Sequence, residues 1–318
     1  MRYSKIIFLI LVIVLLSGCL SEFSKPGIEK PHIPNFLDRD ANGRIILKVY
    51  VLEKDKVERM NIENYVAGVV AGEMGNDWPL EALKAQAILA RTYVMHFIKN
   101  RGGSKYKNAN ISTDVKEAQA WNIDAVNERI KNAVESTRGQ VVLYNGDYIK
   151  AWFHAHSGGN TALAKEGLNY KYDNPPYIRI VKSKDSNKAP KNDTNWSYTF
   201  TKTEIKKACW KMKKDINDFN SIIIEKRGPS GRVVSLRIGN ITVNGPTFRL
   251  NIGPGKLKST LIDIISVNGN KVTFTGRGYG HGVGMSQWGA YQLAKEGMKA
   301  EEIIKYYFKD VNIVNLWK

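Results

Sequence analysis

The amino terminus is the feature that most constrains where this chain can fold. Arg2 and Lys5 precede an uninterrupted apolar run from Ile6 to Leu16, which is the pattern of an export signal. The run has 11 residues, well short of the roughly 20 that a membrane-spanning helix needs. The sequence therefore predicts that the signal is removed and that the rest of the chain folds outside the cytoplasm.

The tetrad Leu16-Ser17-Gly18-Cys19 resembles a bacterial lipobox. This resemblance implies a lipoprotein signal peptide over residues 1–18, lipid attachment to Cys19, and an extracytoplasmic protein anchored to the membrane by that lipid. The alternatives are an ordinary signal in which Cys19 has no role and a signal retained as an uncleaved anchor. With Cys19 lipidated only Cys209 remains, which excludes an intramolecular disulfide and a cysteine-based metal cage.

The charge balance favours polyanionic partners. The 318 residues include 48 Lys and Arg against 30 Asp and Glu, a net charge of +18, and a basic surface attracts nucleic acid or an anionic cell envelope. Because the chain is exported, we expect no nucleic-acid partner and favour teichoic acid, anionic lipid or peptidoglycan. A solvated basic surface without a dedicated partner is the alternative.

The hydrophobic pattern predicts an α+β fold of mixed helices and antiparallel strands. Residues 19–43 contain three prolines and no periodic pattern, which indicates a tether, and residues 44–318 are expected to form one large domain. The expected strands are one or two within 44–57, a hairpin of 140–144 and 148–153 around Asn145-Gly146, and 221–226, 233–238, 248–252 and 271–275. The expected helices are 61–74, 79–100, 124–137, 285–296 and 300–308.

Glu73 stands at the end of the apolar helix 61–74, immediately before a turn. Partial shielding by Met74 and Trp78 would disfavour its charged form, so the carboxyl group can hold a proton near neutral pH. That property suits a general acid. An exposed glutamate at a helix end is the alternative.

Two glycine-bearing segments also have compositions that suggest function. In the first, His154 and His156 alternate before Gly158-Gly159, so they share one strand face and could bind metal with a third ligand, or simply be hydrogen-bonded packing groups. The second, residues 276–290, has five glycines in nine residues before a helix. It lacks the Lys-Ser/Thr ending of a nucleotide phosphate loop, so His281 and Gln287 are expected to orient substrate by hydrogen bonds.

Four stretches together resemble the stage II sporulation protein D family, a group of exported peptidoglycan-active proteins. They are residues 65–74 (YVAGVVAGEM), the ALKAQA and ARTY sequences within 82–93, Ser157-Gly158-Gly159, and residues 280–287 (GHGVGMSQ). The resemblance covers roughly Lys48 to the carboxyl terminus. It implies a lytic transglycosylase that cuts peptide-free glycan strands between N-acetylmuramic acid and N-acetylglucosamine, leaving 1,6-anhydro ends, in sporulation (engulfment) or wall remodelling.

The resemblance assigns the catalytic acid to Glu73. A hydrolytic glycosidase normally needs two carboxylates, whereas a lytic enzyme can use one because the C6 hydroxyl of the substrate attacks the anomeric carbon. Only Asp77 and Glu81 lie near Glu73 in sequence, and no carboxylate lies within the other motifs. The expected glycan-binding or acid-orienting residues are Gln86, Arg91, Ser157, Tyr279, His281, Ser286 and Gln287, with Tyr279 and Trp288 as sugar-stacking surfaces and a buried structural role as the alternative for Arg91.

The chain also departs from the family pattern. Some relatives carry His and Cys ligands for zinc in the stretch that corresponds to residues 108–121, and this chain has neither residue type there. We therefore expect no metal and no other cofactor. A lipobox in place of a membrane-spanning anchor leaves open a vegetative role.

The resemblance further implies partners and a location. The expected partners are glycan strands, a wall amidase and a companion sporulation transglycosylase, at the cell envelope of a spore-forming bacterium. The main rival function is a non-catalytic, glycan-binding enhancer of a cell-wall amidase. A basic surface protein for nucleic-acid uptake is a third, and it predicts DNA binding that weakens steeply with salt.

Overall fold

The computed structural model describes residues 30–317, so the predicted signal peptide 1–18 and the lipid site Cys19 lie outside the described residues. The strands are β1 (Asp38–Arg39), β2 (Ile45–Val51), β3 (Lys56–Asn61), β4 (Ile111–Ser112), β5 (Gln140–Tyr144), β6 (Asp147–Tyr148), β7 (Phe153–His154), β8 (Asn195–Thr201), β9 (Ile222–Arg227), β10 (Val233–Ile238), β11 (Ile241–Asn244), β12 (Ile262–Asn268), β13 (Lys271–Arg277), β14 (Met285–Ser286) and β15 (Asn312–Asn315). The helices are α1 (Ile62–Glu73), α2 (Leu80–Arg101), α3 (Glu128–Glu135), α4 (Ala164–Leu168), α5 (Lys191–Thr194), α6 (Lys202–Lys211), α7 (Gly245–Ile252), α8 (Gln287–Lys295) and α9 (Ala300–Tyr307). Helices combined with mostly antiparallel sheets confirm the predicted α+β class.

Two hydrophobic cores organise this described part of the chain. The first is built from residues 37–181 together with residues 283–311. The second is built from residues 196–274. The second core is therefore inserted between two halves of the first, and both belong to one compact unit that begins at Pro31.

Strand β2 starts the first core. Its residues Ile45, Leu47, Val49 and Val51 are buried because alternate side chains of a strand share one face. It pairs antiparallel with β1 and β3 and parallel with β4. The pairing of β1 shows that regular structure reaches into the segment 19–43 that was predicted as a tether.

The long helices lie close to their predicted bounds. Asn61 caps α1 by accepting a hydrogen bond from the Glu63 backbone N–H at 2.8 Å, and α2 starts directly after Pro79. Helix α3 is shorter than the predicted 124–137, because the Asn127 side chain caps it by accepting from the Ile130 N–H.

The predicted hairpin around Asn145-Gly146 is confirmed. Strands β5 and β6 pair antiparallel, and Asn145 and Gly146 have φ values of 48° and 79°, as a two-residue turn with left-handed backbone requires. Strand β15 pairs with the other edge of β5. The second strand of the hairpin is shorter than predicted.

The predicted strand 248–252 is wrong, because these residues belong to helix α7. The Asn244 side chain accepts a hydrogen bond from the Thr247 N–H at 3.0 Å, and proline stands in the first turn. This start signal prevails over the β-propensity of the residues that follow. The insert also contains β8, β11, β12 and α6, which the sequence did not predict, whereas β9, β10 and β13 are confirmed.

The carboxyl-terminal helices α8 and α9 lie within two residues of their predicted bounds and pack on α2. Just before α8, strand β14 pairs in parallel with β7, which sets Met285 beside Phe153 and Ser286 beside His154. This pairing joins the two glycine-bearing segments singled out in the sequence. Among the described helices, none is both long and apolar enough to cross a membrane.

Candidate active site

Glu73 is the last residue of α1 and is half-buried. Its Oε1 accepts a hydrogen bond from the backbone N–H of Ala120 at 2.8 Å. Burial raises the pKa of the Glu73 carboxyl group above its usual range, and the contacts with Ala120 and Gln287 offset only part of that shift. Among residues 30–317 no charged group contributes to the shift, so the neutral form is favoured by desolvation rather than by a second carboxylate.

The hydrogen bond to Glu73 depends on two glycines of α1. A Cβ on Gly72 would lie 2.7 Å from the Ala120 carbonyl carbon, and one on Gly68 would lie 2.2 Å from the Trp121 indole nitrogen. The Gly68 carbonyl accepts from the Asn122 N–H at 2.9 Å. Small residues on this face thus allow the segment 120–122 to lie directly on the helix and to present its N–H to the carboxyl group.

Gln287 connects Glu73 to the third motif. It is buried as the first residue of α8 and lies close enough to Glu73 to lower the pKa of that carboxyl group, although its Nε2 makes no hydrogen bond among the described residues. Trp288 follows directly, and its ring centroid lies 4.4 Å from that of Trp78 and 5.3 Å from that of Tyr291. These three half-buried rings form an aromatic cluster that begins at the residue after Gln287.

Asp185 holds the second and third motifs together. Its carboxylate accepts hydrogen bonds from the Ser157 N–H at 3.0 Å, from the Ser157 and Ser286 hydroxyls, and from the Ser183 hydroxyl at 2.9 Å. Ser157 and Ser286 are fully buried. Both serines thus join the two loops through an aspartate that no sequence motif marked, and their substrate-binding role stays a prediction.

Replacing Asp185 by Ala is expected to destabilise the protein by about 2–3 kcal/mol, because the buried hydroxyls of Ser157 and Ser286 and the half-buried hydroxyl of Ser183 lose a charged acceptor. Urea unfolding measures this change. Asp263→Ala is the matched control, since its carboxylate pairs with Arg277 at the surface and such pairs contribute about 0–1 kcal/mol. Equal losses in the two variants would contradict the positioning role of Asp185.

The three histidines near these loops are held by the protein itself. His281 Nδ1 accepts from the Val283 N–H at 3.0 Å, and desolvation with the nearby Arg249 and Arg232 lowers its pKa to about 3. Nδ1 of His154 lies 3.2 Å from the Val283 carbonyl oxygen. Both rings are therefore neutral, and the substrate-binding role of His281 stays a prediction.

His156 is also neutral. Its Nδ1 accepts from the Gly158 N–H at 3.0 Å, and desolvation lowers its pKa. Because Nδ1 carries no proton, its 3.4 Å approach to Asp185 is not an ion pair. Tyr279 bridges to His156 through the backbone and lies 5.0 Å below the Lys258 ammonium; its substrate-binding role stays a prediction. Within the described chain, no cluster of three or more His, Cys, Asp or Glu side chains can hold a metal.

Arg91 and Gln86 are both enclosed within the fold. Arg91 is fully buried and donates to both carboxylate oxygens of Glu63 and to the Gln140 carbonyl at 3.0 Å. Gln86 is also fully buried, and its amide has no hydrogen-bond partner in the described structure. The contacts of Arg91 are those expected of its structural alternative, and the glycan-binding roles of both residues stay predictions.

The stretch 108–121 contains a polar network. The carboxylate of Glu117 accepts from the Ser104 and Ser112 hydroxyls and from the Lys105 N–H at 2.7 Å. Asp114 pairs with the Lys105 ammonium at 2.7 Å. These bonds fix the segment whose Ala120 N–H reaches Glu73.

Comparisons with known proteins agree with this architecture. Residues 52–144 match the family model described as Stage II sporulation protein, and residues 144–284 match a domain of unknown function. The chain is 34% identical over 264 residues to an uncharacterized protein of Brachyspira hyodysenteriae, covering 81% of this chain and 68% of that protein.

Two relatives from Bacillus subtilis have functional names. The stage II sporulation protein D is 32% identical over 282 residues, which covers 85% of this chain and 79% of that protein. The amidase enhancer is 27% identical over 298 residues, covering 78% of this chain but only 40% of the enhancer. Together these matches confirm the resemblance: the chain belongs to the stage II sporulation protein D family.

Proposed function

We propose that the protein is a peptidoglycan lytic transglycosylase with Glu73 as its single acid/base. The observation that carries this proposal is a half-buried carboxyl group whose pKa is raised by burial, with no charged neighbour acting on it among the described residues. A group of this kind holds a proton for the leaving oxygen. A hydrolase would need a second carboxylate about 5–10 Å away.

The two carboxylates that lie near Glu73 in sequence have different environments from it. Both oxygens of the Glu81 carboxylate already accept hydrogen bonds, one from the Lys84 ammonium at 2.9 Å and the other from the Ala300 N–H at 2.9 Å. Although burial raises the pKa of Glu81, these contacts outweigh it and lower the pKa. Asp77 is exposed in the turn that follows α1.

The reaction then runs through one carboxyl group. The Ala120 N–H holds Oε1, so Oε2 is the oxygen that carries the proton. This proton passes to the glycosidic oxygen as the bond between it and C1 of N-acetylmuramic acid breaks. The C6 hydroxyl of the same sugar attacks C1, its proton passes to the Glu73 carboxylate, and the 1,6-anhydro end forms with the acid regenerated.

The test is an analysis of the ends made from peptide-free glycan strands. Mass spectrometry is expected to find 1,6-anhydro-N-acetylmuramic acid at the new ends. New reducing ends would contradict the lytic mechanism. Binding without any cleavage would favour the second candidate, a non-catalytic enhancer of a wall amidase, which the relative named amidase enhancer supports.

The pH dependence of cleavage gives a further prediction. Glu73 must be protonated to act, so the rate is expected to fall as the pH rises through its raised pKa. Gln287 lowers that pKa, so Gln287→Met is expected to move the falling limb of the rate profile to higher pH. Gln292→Met, the same change elsewhere on α8, is the control, and an unmoved limb in Gln287→Met would contradict the assignment.

The family membership supports a sporulation-related role at the cell wall. Within this proposal the substrate is the glycan strand, an amidase removes its stem peptides, and a companion transglycosylase acts beside this protein. The lipid on Cys19 holds the protein at the envelope. Replacing Cys19 by Ala would then release the protein from the membrane fraction.

A further inference from the structure

A cavity lies along the carboxyl-terminal half of α2. It has a volume of about 410 Å³ and is lined by Tyr93, His96, Phe97, Asn100, Arg101, Lys150, Trp152 and Tyr170. This volume lies in the range of small-molecule sites. Four aromatic rings and three basic side chains therefore surround one space, and no carboxylate lines it.

Among the described residues, no carboxylate forms an ion pair with Lys150 or Arg101 of this cavity. Desolvation, and to a lesser extent the nearby Arg101, lower the pKa of Lys150. Desolvation, and to a lesser extent the charge of Lys150, lower the pKa of His96 to about 4. The neighbouring carboxylate, Asp147, pairs with Lys99 at 2.9 Å instead. An anion placed between Lys150 and Arg101 would relieve this repulsion.

The aromatic walls suit a sugar ring. Trp152 and Tyr170 meet edge to face with centroids 5.4 Å apart, and the Lys150 ammonium lies 5.8 Å from the Tyr170 centroid. Arg101 lies 4.9 Å from the Phe97 centroid. A ring packed on these faces would hold its acidic substituent next to the cations.

The cavity lies within reach of Glu73. Tyr93, in the cavity wall, donates its hydroxyl hydrogen to the Glu117 carbonyl at 3.1 Å, and the Ala120 N–H donates to Glu73. Ala120 is the third residue after Glu117, so their Cα atoms are at most about 11 Å apart. This short path through the protein is the basis for placing the cavity and Glu73 along one glycan strand.

We infer that this cavity binds an acidic sugar of the strand, with its ring on Trp152 and Tyr170 and its carboxylate between Lys150 and Arg101. The inference rests on the proposed function, in which that acid is the lactyl carboxylate of N-acetylmuramic acid. This carboxylate is free only when the stem peptide has been removed. The cavity would thus select peptide-free strands.

The test measures binding, by calorimetry, of peptide-free glycan oligosaccharides to the full chain carrying Glu73→Gln, which prevents turnover. Each oligosaccharide is used with free lactyl groups and with the same groups converted to neutral methyl amides. Lys150→Gln and amidation are each expected to weaken binding roughly 10- to 100-fold, and their combination is expected to weaken it no further. Lys207→Gln, at an exposed lysine of α6, is expected to leave binding unchanged.

Two results would overturn the inference. One is that the losses in affinity from Lys150→Gln and from amidation multiply. The other is that the amidated oligosaccharide binds the protein with Lys150 intact as tightly as the free acid does. Binding of poly(glycerol phosphate) that depends on Lys150, without binding of the free acid, would also overturn it in favour of a phosphate polymer. Cleavage by the protein with Glu73 intact is measured separately. If the protein cleaves glycan but the losses from Lys150→Gln and amidation multiply, only the role of the cavity is refuted. If those losses do not multiply but no glycan is cleaved, only the lytic function is refuted.

Discussion

Glu73→Gln is expected to reduce cleavage of peptide-free glycan by about 10²–10⁴-fold, the usual contribution of a general acid. The amide keeps the shape of the carboxyl group and can still accept the Ala120 N–H, so the fold and the affinity for glycan should persist. Initial rates and binding of the same strands, measured side by side, separate the loss of the proton from a loss of substrate contact.

Asp77→Asn is the matched control for this variant, because Asp77 is a nearby but exposed carboxylate. It should cleave at nearly the wild-type rate. A Glu73→Gln protein that cleaves within about tenfold of wild type would remove Glu73 from the chemistry, whatever the affinity of the variant.

Arg91→Met is expected to lower the free energy of unfolding by about 3–5 kcal/mol, because it leaves the buried Glu63 carboxylate without its charged partner. The Gln140 and Val134 carbonyls lose a donor as well. Urea unfolding measures the change. The kcat and KM of the folded fraction should not change, because Arg91 is fully buried and makes all of these contacts inside the fold.

Lys99→Met is the control for that change, since Lys99 pairs with Asp147 at the surface and such pairs contribute about 0–1 kcal/mol. In the double variant Arg91→Met/Glu63→Gln no unpaired charge remains, so part of the lost stability should return. A KM that rises in Arg91→Met with unchanged stability would restore the glycan-binding role predicted from the family resemblance.

Local patterns predicted the first core well. Helices α1 and α2 carry apolar residues at helical spacing, and Asn145-Gly146 has the backbone freedom that a tight turn needs. The insert was harder to predict. Strand β12 exposes Asp263 and Ile264 to solvent, and the start signal at Asn244 turns a β-branched and aromatic segment into α7.

The sequence identified those residues of the candidate site that stand in local motifs, but not those whose contacts are distant in the chain. Glu73 and Gln287 stand in recognisable motifs, and the structure brings them together. Asp185 stands in no recognisable motif. Its role depends on hydrogen bonds with Ser157 and Ser286, which lie 28 and 101 residues away in the chain. The buried role of Arg91 likewise depends on Glu63, 28 residues earlier, which no local pattern reveals.

The central claim is that the substrate's own hydroxyl, and not water, attacks the anomeric carbon. Cleavage of peptide-free strands in water enriched in heavy oxygen tests it most directly, because a hydrolase places one water oxygen at C1 of each new reducing end. We expect mass spectrometry to show unlabelled anhydro ends whose mass is lower than that of the hydrolysis product by one water. Heavy oxygen at C1 of the new ends would contradict the single-carboxylate mechanism at Glu73.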